Sequence, residues 1–75
     1  MACLNSDGTP TVVAAQLLVA LATAEDPTDL AIATGLPMYR VRSGLREMER
    51  AGLVEAIGDG YMLTSRGREL LAARV

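Results

Sequence analysis

Histidine, lysine, tryptophan and phenylalanine are absent from these 75 residues, and cysteine occurs once. Without histidine the chain lacks both the commonest general base and the commonest metal ligand. The single thiol, Cys3, cannot close an internal disulfide or assemble a cysteine-rich zinc or iron–sulfur site. Aromatic residues make up only 3 % of a chain that is 51 % hydrophobic, which argues against disorder and for an aliphatic core. No apolar run reaches membrane-spanning length: Val12 to Ala24 falls short of the roughly 20 residues a span needs. No basic residue precedes that run, as a secretory signal would require. The expectation is a cytoplasmic protein without membrane contact. So short a chain buries only about 60 % of its unfolded surface, which leaves no deep cleft between domains. Binding is therefore expected rather than catalysis: no enzyme and no cofactor.

The formal charge of −2 is unevenly placed. All seven basic residues are arginines at or beyond position 40: Arg40, Arg42, Arg46, Arg50, Arg66, Arg68 and Arg74. Residues 1–39 hold Asp7, Glu25, Asp26 and Asp29 and no base, hence −4. Residues 40–75 set the seven arginines against Glu47, Glu49, Glu55, Asp59 and Glu69, hence +2. A polarised molecule steers a partner by its patch, whatever the total charge. No repeat or linker interrupts the chain; residues 1–8 read as a flexible end and residues 9–75 as one domain.

Thr9 before Pro10 is a helix start, since Thr caps an open N–H and Pro at the first position needs none. It predicts a first helix over 10–24 whose core stripe is Val13, Leu17, Ala20 and Leu21. Val12, Ala15 and Val19 form a second apolar line that a lone surface helix does not need, and that hints at a homodimer through helix 10–24. Asp26, Pro27 and Asp29 repeat the start signal for a second helix over 27–34, burying Leu30, Ala31 and Ala33 and ended by Gly35. Pro37 opens a third helix to about Ala51, so helix, short Gly-containing turn and helix follow in order, a helix-turn-helix pattern. After Gly52, a strand over 53–57, turn residues Gly58-Asp59-Gly60 and a strand over 61–64 read as a β-hairpin. Thr64 or Ser65 then caps a last helix ending near Ala73, with Leu70 and Leu71 as its buried pair; Gly67 weakens it. The fold class is mainly α with a β-hairpin.

The third helix divides cleanly. At about 100° per residue from Arg40, Met48, Val41 and Leu45 fall at roughly 80° to 140° and define a core face. Arg46, Tyr39, Arg50 and Ser43 fall at roughly 240° to 300°, with Arg42 near 200°, on the opposite face. Glu49 and Glu47 flank that face, and Arg40 stands at one margin. A DNA major groove admits one α-helix whose N-terminal half reaches base edges while arginines meet phosphates or guanine. Tyr39, Arg42, Ser43 and Arg46 fit that demand, and Arg50 on the same face is a further candidate for DNA contact. The acidic edges oppose it, but they also lower affinity for unmatched sites.

Each of these residues also has a plainer reading. Arg46 and Arg50 beside Glu47 and Glu49 form a solvated face supported by charge pairs. Cys3 reads as a bystander, Met38 and Met48 as packing residues, and Tyr61 as packing the hairpin against the third helix, although a tyrosine there can reach a sugar-phosphate. Arg66 and Arg68 read as solvated ends of a helix rather than phosphate ligands. Gly58-Asp59-Gly60 has too few glycines for a phosphate-binding loop.

The run Asp29-Leu30-Ala31-Ile32-Ala33-Thr34-Gly35-Leu36-Pro37, then Val41, Leu45, Met48, Glu49 and Ala51-Gly52-Leu53-Val54-Glu55, resembles a bacterial winged helix-turn-helix. Tyr61 to Leu71 is similar to the strand-into-helix ending of MarR-like regulators, and the resemblance covers residues 11–72. The small stand-alone regulators of fimbrial operons, of the PapI and PefI kind, are similar in size, and Tyr39-x-Val41-Arg42-x-x-Leu45 resembles their recognition helix. The iron-transport accessory protein FeoC is another small winged helix, but the cysteine cluster of its wing has no counterpart here. The resemblance implies a three-helix core, a two-stranded wing and a C-terminal helix, bound to double-stranded DNA as a transcriptional regulator. By position, Met38, Tyr39, Arg40, Arg42, Ser43 and Arg46 occupy the contact positions, and Gly58, Asp59, Gly60 and Tyr61 the wing. Pro37 stands where a Ser or Thr cap is usual and Asp59 where a base is usual, so the wing adds little affinity. Some winged helices dock proteins instead, and a protein partner met through the same arginine face is the alternative to DNA.

Overall fold

Residues 11–73 are described by the computed structural model as four helices and a two-stranded antiparallel hairpin. Thr9 and Pro10, read above as the start of the first helix, lie outside the described residues, as do Cys3 and Arg74. The first helix, α1, is Val12–Leu21, shorter than the predicted 10–24. Its cap is Thr11, whose Oγ1 accepts from the Ala14 N–H at 3.3 Å. At the far end the Ala22 and Thr23 N–H groups bond back three residues, to Val19 and Ala20, which tightens and closes the last turn. The chain then runs to Glu25, whose carbonyl accepts from the Tyr61 N–H at 3.0 Å.

Helix α2, Pro27–Thr34, matches the predicted span. Asp26 Oδ1 accepts from the Thr28 N–H at 2.7 Å, and Gly35 turns the chain out at φ +73°. Helix α3 is Met38–Arg50. Pro37 sits just before it as the cap residue, extended and without a side-chain hydrogen bond, rather than as its first helical residue. The end of α3 is closed twice over: Leu53 N–H reaches Met48 O at 2.9 Å and Gly52 N–H reaches Glu49 O at 3.0 Å, with Gly52 at φ +78°. Leu53 and Met48 both belong to the buried core, in keeping with the apolar pair that accompanies this motif.

The hairpin pairs β1, Val54–Ile57, with β2, Gly60–Leu63, in the register Val54 to Leu63 and Ile57 to Gly60. Each strand lies one residue from its predicted span. Only Gly58 and Asp59 form the turn, with Gly58 at φ +57°, because Gly60 is drawn into the ladder opposite Ile57. Helix α4 is Ser65–Ala73, capped by Thr64: its Oγ1 accepts from the Gly67 N–H at 3.1 Å while its hydroxyl donates to Gly52 O. That side chain ties α4 to the corner after α3.

Among the described residues eleven form the buried hydrophobic core, and all are aliphatic or methionine. Val41, Leu45 and Met48 of α3 are fully buried, as the wheel predicts. Within α1, Leu17, Ala20 and Leu21 are buried as expected, but Ala14 and Leu18 join them while Val13 is only half-buried. The apolar stripe of α1 is therefore rotated from the one read in sequence, because α1 packs against α2, α3, α4 and β2 together rather than one neighbour. Leu70 and Leu71 are half-buried, and the buried residue of α4 is Gly67. Ala31 is half-buried and Ala33 is exposed, so α2 buries only Leu30 completely.

Candidate functional site

The face of α3 opposite the core carries the predicted residues, and the packing holds it at a fixed orientation. Val41, Leu45 and Met48 lock one side of the helix into the core. Gly44 brings α3 close to α1: a Cβ there would stand 2.6 Å from Leu17 Cδ1. Away from that contact, Tyr39 is 72 % exposed, and Arg42 and Arg46 are exposed with no ion-pair or hydrogen-bond partner among the described residues. Ser43 is half-buried beside them. Tyr39, Arg42, Ser43 and Arg46 stand at i, i+3, i+4 and i+7, one continuous stripe about 10 Å long at 1.5 Å per residue.

The other three predicted residues of α3 behave differently. Arg50 donates to Glu47 Oε1 at 3.1 Å, the charge pair that the plainer reading of this face expects. Such an exposed pair contributes little to stability, but it answers the negative charge at one edge of the stripe. Met38 is half-buried against the core, beside Leu45 on the wheel, and its packing reading is the one the structure favours. Arg40 is half-buried at the margin.

The hairpin separates into a tip and a base. Gly58 and Asp59 are exposed at the tip, with Asp59 its only charge. Gly60 and Tyr61 instead press on the α1–α2 connection: a Cβ on Gly60 would lie 2.8 Å from Glu25 O, the oxygen that accepts from Tyr61 N–H. The Tyr61 ring packs half-buried against the core. Glu25 thus anchors the hairpin through its backbone, a contact no local pattern announces because its partners are far apart in sequence. Arg68, read as solvated, donates to Leu63 O at 3.0 Å and so pins α4 to β2, whereas Arg66 is exposed.

Among the described residues no group of histidine, cysteine or carboxylate side chains is placed to hold a metal ion, and no helix is long and apolar enough to cross a membrane. Comparison with known proteins yields no matching family model, no matching curated protein and no matching solved structure.

Proposed function

We propose that this chain is a winged helix-turn-helix domain that binds double-stranded DNA, laying α3 in the major groove as part of a small transcriptional regulator. The observation that carries the reading is the stripe Tyr39, Arg42, Ser43 and Arg46 on the one open side of a helix whose other side is fully buried. A base-reading helix has to be held rigidly, since side chains placed loosely by even 1 Å lose their hydrogen bonds. The stripe's length matches about three base-pair steps at 3.4 Å each. Arg42 and Arg46 bring planar forks suited to guanine or phosphate, and Ser43 and Tyr39 bring hydroxyls that both donate and accept. The order of helix, turn, helix and hairpin supports the same reading.

With three or four phosphates neutralised per domain, the logarithm of affinity falls against the logarithm of salt concentration with a slope of about −3 to −4. Fluorescence anisotropy of mixed duplex fragments titrated with the protein at low salt tests the proposal, with Arg46→Glu as the control. Salt-sensitive binding that Arg46→Glu removes, while its circular dichroism is unchanged, is the expected result. The acidic hairpin tip at Asp59 and the net charge of −2 favour a second reading, a module that docks a protein through the same arginines. A folded sample with no duplex affinity at low salt selects that reading over DNA.

A further inference from the structure

The open side of α3 has a floor and two edges. With Arg40 at 0° and about 100° per residue, the positions held against the domain run from Gly44 at roughly 40° to Met38 at roughly 160°, centred near 100°. Opposite that centre, between roughly 240° and 300°, stand Arg46, Tyr39, Arg50 and Ser43. Arg42 near 200° and Glu49 near 180° lie about a quarter-turn to one side, and Glu47 near 340° lies to the other. A major groove about 12 Å wide takes a helix of about 10–12 Å diameter lengthwise. Side chains facing away from the body of the domain then look down on base edges. Those a quarter-turn round face one of the two sugar-phosphate backbones.

We propose, resting on the DNA reading above, that Arg46 reads a guanine while Arg42 holds a phosphate. Arg50 shares the floor with Arg46, but it is the last residue of α3 and its guanidinium is taken by Glu47 at 3.1 Å. Arg46 is exposed and bonded to nothing among the described residues, so its whole fork is open. Helical side chains lean toward the N-terminus, which carries Arg46 back over the turn of Ser43, into the part of the helix that meets bases. In the major groove guanine sets two acceptors side by side, N7 and O6, whereas adenine and cytosine present a donor and thymine a single acceptor. A planar fork made only of donors therefore selects guanine. Tyr39 and Ser43 carry hydroxyls that donate or accept, and so tolerate several bases. The site implied for one α3 is a strongly required G·C pair with weakly specified neighbours.

Arg42 is equally open but faces sideways, where its charge meets phosphate oxygens rather than base edges. Glu49 stands on the same edge about 10 Å further along the helix and repels a backbone there, so the strand is drawn in only near Arg42. On the opposite edge the charge of Glu47 is answered by Arg50. The first turns of α3 thus lie nearest the backbone and its last turn furthest.

Selection from a randomised duplex pool with the unaltered chain, followed by anisotropy on the recovered duplex and its single-base-pair substitutions, tests the assignment. The recovered duplex is expected to contain a G·C pair whose replacement costs about 5- to 150-fold in affinity. Arg46→Ala is expected to lose that preference, binding the original and the substituted duplex alike while the other positions keep theirs. Arg42→Ala is expected to keep the preference, to bind every duplex more weakly by the same factor, and to reduce the salt slope by about one. Both side chains are exposed, and unchanged circular dichroism of both variants assigns these effects to the contact rather than to folding. Exchange of the two signatures, equal effects of the two variants, or a recovered duplex indifferent at every G·C pair overturns the assignment and leaves the DNA reading standing. Absence of duplex binding by the unaltered chain at low salt overturns the DNA reading, and this assignment with it.

Discussion

Gly67 and Thr64 show how much of this fold rests on single residues. In an open helix, alanine in place of glycine gains about 1 kcal/mol. Gly67, however, is buried with its Cα against the Leu53 carbonyl oxygen, and any Cβ would run into that backbone. Gly67→Ala is therefore expected to destabilise the protein by about 1–3 kcal/mol, read as a lower urea midpoint. An unchanged midpoint would mean that α4 shifts freely off the corner after α3. The sequence marks Gly67 only as a weak point in a helix, because propensity is local and Leu53 is distant. Arg46 and Arg50 were better served: side chains on one helix meet at fixed spacing, so the Glu47–Arg50 pair and the open Arg46 could both be read from the wheel.

The elements differ in how far their own residues specify them. α2 carries its start signal, Asp26, and its stop signal, Gly35, in place, and its predicted ends coincide with the observed ones. α3 is strongly two-sided, and its core face follows from spacing alone. Spacing placed Leu17, Ala20 and Leu21 of α1 on its buried side, but not Ala14 and Leu18, and gave its end three residues too late. The hairpin's limits moved by one residue because Gly60 pairs with Ile57 and packs on Glu25. Its tip presents a carboxylate where a DNA backbone would favour a base. On the DNA reading, Asp59→Lys is expected to raise low-salt affinity and steepen the salt slope by about one charge, measured in the same anisotropy titration. No change in either would place the tip away from the duplex.

Among the described residues, eleven buried hydrophobic side chains hold four helices and a hairpin together without one buried polar or charged side chain. At about 0.05–0.15 kcal/mol per residue, total stability is on the order of 4–11 kcal/mol. Leu45, fully buried in α3, contributes a large part: Leu45→Ala is expected to cost about 2–5 kcal/mol, enough to unfold a measurable fraction at 37 °C by circular dichroism. The opposite face of the same helix tolerates charge reversal, which is why Arg46→Glu can report on binding without reporting on folding.

Composition and local spacing determined the aliphatic core, the order of elements, the two faces of α3 and the arginine stripe. These depend on residues within a turn or two of each other, where sequence distance and spatial distance coincide. Only the tertiary structure decided that Ala14 and Leu18 join the buried side of α1, why Gly60 and Gly67 must be glycine, and where α1 and the hairpin strands end. Each of those is settled by a backbone or side chain from another part of the chain, and close packing against a distant neighbour leaves no period in the sequence.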